Sequence, residues 1–154
     1  MKKKIILVGG GGHAHSCVEL IEQEKKYSIY GIVDLKKPIS KILNNYEYLG
    51  KDEKLNDLRK IIDHSILGIG FINDYQIREK MFNKIKKLNF KIPKIISPLS
   101  SISKNSHIGE GTMIFQNVII NSNVLIGENC IINNKALLEH DVRIGNNVHV
   151  STGC

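Results

Sequence analysis

Between Ile102 and Cys154 the chain repeats itself every six residues. Ile102, Ile108, Ile114, Ile120, Ile126, Ile132, Leu138, Ile144 and Val150 fall in one unbroken register. Four residues after each comes a second set: Ser106, Thr112, Val118, Val124, Cys130, Ala136, Val142, Val148 and Cys154. A large aliphatic followed by a smaller side chain at this period is the pattern of a parallel β-helix. Each hexapeptide then forms one flat face of a triangular coil, with both register residues pointing inward. Nine hexapeptides make about three coils. Gly109, Gly127 and Gly145, with Asn105, Asn117, Asn121, Asn133 and Asn146, are expected at the turns, where Gly and Asn reach positive φ at low cost. Such a stack needs capping at its ends.

Length and charge bound the rest. A chain of 154 residues holds one domain or two small ones. No apolar run approaches membrane-spanning length. The opening Met1-Lys2-Lys3-Lys4 resembles a signal peptide's charged start, but the apolar run Ile5–Val8 meets four glycines too soon to be its core. A cytoplasmic location without export is therefore expected. Cys17, Cys130 and Cys154 form neither a disulfide framework nor a metal-ligand spacing, so no metal is expected. A net charge of +7 raises the question of nucleic acid. The Lys are spread along the chain, without a dense basic segment interleaved with aromatics, and nucleic acid is not expected as a partner.

Ahead of the repeat, Ile5-Ile6-Leu7-Val8 reads as a strand buried on both faces of a parallel sheet. Gly9, Gly10, Gly11, Gly12 and His13 follow, and then a helical pattern with Cys17, Val18, Leu20 and Ile21 on one side. Strand, glycine turn and helix make an anion site, because the helix start offers free N–H groups and a partial positive charge. Gly9, Gly11 and Ala14 also fit the dinucleotide fingerprint, with Asp34 closing the next strand where an acidic ribose contact would stand. A tight turn without ligand is the plainer alternative. Further expected elements are a strand at 46–50, a helix at 51–62, a strand at 65–72, a helix at 75–88 begun by Asn73-Asp74, and a last strand at 92–96. In such a sheet ligands sit at the carboxyl ends of the strands, which here carry Gly9–His13, Asp34 and the loop of Gly70.

Within the repeat, Glu139-His140-Asp141 breaks an otherwise bland surface with a histidine between two carboxylates. A carboxylate on one imidazole nitrogen fixes the tautomer and raises the basicity of the other, as general-base catalysis requires. A solvated surface His140 and a turn-bonded His149 are the alternatives. His149 lies too far round the coil to join His140 in the same chain, but a neighbouring subunit could supply it.

These stretches resemble the NeuD/PglD type of sugar O-/N-acyltransferases. The likeness is carried by Val8 to Ala14, Val33-Asp34, Gly68-Ile69-Gly70 through Arg78, Asn133, Leu138 to Asp141, and Ile144 to Ser151. It implies an α/β Rossmann-like nucleotide-sugar domain with a small parallel sheet over residues 1–97. A left-handed parallel β-helix acyltransferase domain over 98–154 follows. It implies acetyl-CoA as co-substrate, a nucleotide-linked sugar as acceptor and a homotrimer with sites between subunits. His140 would be the general base and Asp141, where relatives often carry Glu, would orient it. Asn133 would touch the sugar, and His149 would lie near the acetyl-CoA thioester. Gly9, Gly10, Gly11, Gly12 and His13 would approach the nucleotide phosphates, Asp34 the uridine, and Gly70 would line the same edge. Relatives continue for several more coils beyond the position of His149, so a shortened chain lacking most of the CoA site is expected.

The leading expectation is acetyl transfer to a UDP-4-amino-4,6-dideoxy sugar in bacterial surface-glycan biosynthesis. The alternatives are a sialic acid O-acetyltransferase, a nucleotide-sugar-binding trimer without activity, and an NAD-dependent oxidoreductase resting on Gly9, Gly11, Ala14 and Asp34.

Overall fold

In the computed structural model, which describes residues 2–154, the run Ile5–Val8 lies inside β1 (Lys3–Val8) and is almost wholly excluded from solvent. It is buried because β1 is an inner strand. β2 (Tyr27–Val33), β3 (Tyr48–Gly50) and β4 (His64–Leu67) complete a four-stranded sheet in the order β3-β2-β1-β4. Each pairing is parallel, as right-handed crossover units require. α1 (Gly12–Glu24) buries Ala14, Cys17, Val18, Leu20 and Ile21, the face expected from its pattern. Burial pushes the Cys17 thiol up to about 12, so it packs as a protonated apolar group.

The helix expected at 51–62 is shorter. A 3₁₀ turn at Asp52–Lys54 leads into the single turn of α2 (Leu55–Leu58), and Ile61 is left 65% exposed while Leu55 and Ile62 carry the packing. The strand expected at 65–72 stops at Leu67, because Gly68 turns the chain against the end of β1. A Cβ at Gly68 would stand 2.6 Å from the Gly9 carbonyl oxygen. α3 (Gln76–Lys87) agrees with the expected helix, and the Asp74 carboxylate accepts the Gln76 N–H at 2.8 Å.

The chain divides by contacts into Met1–Pro93 and Lys94–Cys154. The second unit begins ahead of Ile102, the first aliphatic of the six-residue register. β5 (Ile95–Ile96), expected to close the parallel sheet, instead pairs with β8 (Met113–Ile114). Ile96 thus extends the register by one hexapeptide.

Nine further two-residue strands end on the nine register aliphatics. They are β6 (Ser101–Ile102), β7 (His107–Ile108), β8, β9 (Ile119–Ile120), β10 (Leu125–Ile126), β11 (Ile131–Ile132), β12 (Leu137–Leu138), β13 (Arg143–Ile144) and β14 (His149–Val150). Every third strand stacks in parallel, giving three faces: β5-β8-β11-β14, β6-β9-β12 and β7-β10-β13. This is the left-handed β-helix. Its interior is the two registers together, from Ile108, Ile114 and Val118 to Ala136 and Leu138.

The corners correct one expectation. Gly111, Asn117, Asn123, Asn129, Lys135, Asp141, Asn147 and Gly153 all have positive φ, one every six residues. Of the residues expected there only Asn117 is among them; Asn105, Asn121, Asn133 and Asn146 are not, and neither are Gly109, Gly127 and Gly145. These glycines stack coil on coil, and a Cβ at Gly127 would stand 2.7 Å from the Gly145 carbonyl. At Gly109 and Gly127 glycine is required for close backbone approach, not for a left-handed turn.

Candidate active site

The first cluster stands at the carboxyl end of the parallel sheet. Gly9 has φ 104, and a Cβ there would stand 2.5 Å from Ile69 Cγ1, so only glycine serves. Gly10 donates its N–H to Asp34 Oδ2 at 2.5 Å, and Leu35 donates to Asp34 Oδ1 at 2.5 Å. Asp34, expected to meet the nucleoside, thus first clamps the glycine turn to the end of β2. Gly11 begins α1 without a side-chain cap, and the first turn of the helix holds no acidic residue. A Cβ at Gly11 or Gly12 would meet nothing within 4 Å. The positive end of α1 therefore opens on free space, as anion binding requires. Gly70 backs onto this turn, where a Cβ would stand 2.8 Å from that of His13.

Sequence reasoning quoted Arg78 without giving it a role. It is 1% exposed and its Nη1 donates to the Ile69 carbonyl at 2.5 Å, holding the loop behind Gly9 and His13. An arginine on an otherwise apolar helix face was the available signal. Tyr48 adds a second tie, its hydroxyl donating to the Asp34 carbonyl at 3.1 Å.

The second cluster is a corner of the coil. β12 ends at Leu138, Glu139 and His140 follow, and Asp141 makes the turn with φ 65. Asp tolerates the left-handed region because its side chain is short and bonds locally, which suits Asp here. His140 Nδ1 lies 2.6 Å from Asp141 Oδ2, with the two side chains 74% and 62% exposed. With Nδ1 donating to the carboxylate, Nε2 is left as the basic nitrogen. The Asp141 hydrogen bond and then its charge hold the His140 imidazole above the ordinary histidine range. Asp141 is held below the ordinary carboxylate range, first by His140 and next by Asn123.

Three hexapeptides earlier in sequence, and one coil away in space, Asn121-Ser122-Asn123 underlies Glu139-His140-Asp141. Asn121 Nδ2 donates to Glu139 Oε2 at 2.8 Å, Asn123 Nδ2 donates to Asp141 Oδ1 at 2.5 Å, and the Asp141 N–H donates to the Ser122 carbonyl at 3.1 Å. Sequence reasoning passed over this shelf, although the coil period places it.

Asn133 and His149 meet each other. Asn133 Nδ2 lies 3.3 Å from His149 Nε2, on the face of β11 and β14. His140 follows β12 on a different face, so one chain does not gather Asn133, His140 and His149 at a single corner.

Residues 4–85 match the model of the PglD N-terminal domain, and residues 105–140 match the bacterial transferase hexapeptide model of six repeats. No curated protein sequence matches significantly. Among solved structures, GDP-perosamine N-acetyl transferase from Caulobacter crescentus is 28% identical with a TM-score of 0.86. That match covers 95% of this chain and 67% of that one. It was solved as a histidine-to-alanine mutant in complex with CoA and GDP-perosamine. The acetyltransferase domain of PglB from Neisseria gonorrhoeae, in complex with acetyl coenzyme A, is 25% identical with a TM-score of 0.85, covering 99% of this chain and 72% of that one. WeeI from Acinetobacter baumannii, 22% identical with a TM-score of 0.72 over 96% of this chain and 69% of that one, shares the fold.

Proposed function

Because the chain belongs to the NeuD/PglD type of sugar acyltransferases, whose PglD N-terminal domain its residues 4–85 match, we propose acetyl transfer at the His140 corner, from acetyl-CoA to a nucleotide-linked amino sugar. The supporting observation is the 2.6 Å pairing of His140 Nδ1 with Asp141, which leaves Nε2 as a base of raised proton affinity. The sugar amine attacks the thioester carbonyl carbon and passes a proton to Nε2. The C–S bond then breaks, CoA leaves as the thiol once it takes up a proton, and the amide C–N bond remains. Acetyl-CoA is a co-substrate supplied from solution.

The glycine turn serves the acceptor. Its open helix end takes the diphosphate, His13 and Gly70 line the same edge, and Asp34 holds Gly10 so that the turn keeps its shape. The acceptor we put first is a UDP-linked 4-amino-4,6-dideoxy sugar, as likeness to PglD suggests. A GDP-linked amino sugar is the second reading, favoured by the 28% identity to the Caulobacter enzyme.

Asn133 toward the sugar and His149 toward the thioester act from a neighbouring copy in a trimer. Ile119 and Leu137, paired in register and 45% and 46% exposed, give the face of β9 and β12 an apolar strip suited to such a contact. Sedimentation velocity should return a trimer. The decisive assay is CoA release with UDP- and GDP-linked amino sugars offered in parallel. Turnover with either acceptor, lost in His140→Ala, is the expected result. Full turnover in that variant would remove His140 from the mechanism.

A further inference from the structure

The amide shelf beneath the His140 corner has a second consequence. Asp141 carries two carboxylate oxygens with different partners: Oδ2 meets His140 Nδ1 at 2.6 Å and Oδ1 accepts from Asn123 Nδ2 at 2.5 Å. Both Asn123 and Asp141 occupy the left-handed corner position, with φ 60 and 65, and sit one coil apart. The corner backbone is itself tied down, since the Asp141 N–H donates to the Ser122 carbonyl at 3.1 Å. A carboxylate held at one oxygen by a fixed amide presents the other in a fixed direction. One held only by a mobile imidazole rotates about its χ2 bond.

We infer that Asn123 is a positioning residue for the general base, fixing the Asp141 carboxylate so that it orients the His140 imidazole. The inference rests on His140 being the base, and it adds a third member to the pair. The order is amide, carboxylate, imidazole, running up one edge of the coil.

The neighbouring tie supplies the control. Asn121 holds Glu139 at 2.8 Å in the same way, yet Glu139 makes no hydrogen bond to His140 and acts on it only through its charge. The charged groups near this corner are Glu139, Asp141 and Arg143. The underlying coil offers Asn121, Ser122 and Asn123, none of them ionisable.

The test uses Asn123→Gly, which keeps the positive φ that alanine would strain and removes only the amide. The first readout is the His140 titration by NMR of the ¹³C,¹⁵N-histidine-labelled protein, assigned with His140→Gln. In Asn123→Gly the imidazole pKa should fall toward the ordinary histidine value, and Asn121→Ala should move it less. The second readout is the pH dependence of kcat/KM, whose acid limb should move to lower pH with kcat down about three- to tenfold and both KM values within twofold. A His140 pKa that stays put or rises in Asn123→Gly overturns the proposal, as does an equal shift in the two variants. The titration reads the coupling without any turnover. A failure of His140 as base would therefore appear separately, as full activity in His140→Ala.

Discussion

Asp34 and Asp141 both hold two hydrogen bonds at 2.5–2.6 Å, and they do opposite work with them. Asp34 spends both oxygens on backbone N–H groups, those of Gly10 and Leu35, and so fixes a loop. Asp141 gives one oxygen to a side-chain amide and the other to an imidazole, and so fixes a proton. A carboxylate satisfied by backbone is a geometric element. One shared with a titratable partner changes what that partner can do. The same difference separates the two regions: at the glycine turn the carboxylate meets only backbone N–H groups, and at the coil corner it meets a titratable side chain.

The contrast breaks most visibly at His140. His140→Ala should lower kcat by about 10²–10⁴-fold, the usual worth of a general base, with the KM of the nucleotide sugar unchanged. Steady-state CoA release against sugar concentration checks both. Asp141→Asn comes next, with kcat down about tenfold. Without the carboxylate the raised pKa of His140 falls back. The base must be neutral to act, so wild-type kcat/KM declines as pH drops through that raised pKa, and in Asp141→Asn the decline should begin at lower pH. A pH profile identical to wild type would mean that Asp141, like Asp34, is only a geometric element.

Much of this was legible beforehand where the sequence repeats. Nine register aliphatics each end a strand, because a coil of fixed period leaves every inward position the same environment. His140 stood out for the same reason, as a break in a regular surface. The sheet unit was harder to read. Ile95–Ile96 looks like any short apolar strand, and only its partner Met113–Ile114 decides that it belongs to the coil. Ile61 has the spacing of a buried residue, yet the helix ends first. Asp34 occupies its expected place, but that its oxygens hold Gly10 and Leu35 depends on how two loops meet in space. Asn123 and Arg78 act through partners one coil or one loop away, and pattern-matching on neighbouring residues does not reach that far.

Asp34→Ala frees the Gly10 and Leu35 N–H groups and should raise the KM of the nucleotide sugar about tenfold with kcat within twofold. Global stability should fall by about 1–3 kcal/mol, the cost of leaving such donors unsatisfied, read by urea denaturation. A change in kcat larger than that in KM would erase the distinction from Asp141.

The smallest effect is expected at Gly11, and it separates ligand geometry from fold geometry. Gly11 has φ −79, an ordinary value for any residue, and a Cβ there meets nothing within 4 Å. Gly11→Ala should therefore leave stability within about 0.5 kcal/mol of wild type. The added methyl nevertheless stands at the open start of α1, where the diphosphate of the proposed acceptor would approach backbone N–H groups closely. Affinity for the nucleotide sugar should drop a few-fold, measured by calorimetric titration. Gly127→Ala is the counterpart, since its Cβ meets the Gly145 backbone at 2.7 Å. It should cost stability by about 1–3 kcal/mol, as overpacking does, without acting on the nucleotide site. If Gly11→Ala bound the nucleotide sugar as tightly as wild type, the turn would be a tight turn and nothing more, and the anion site would have to lie elsewhere on the sheet edge.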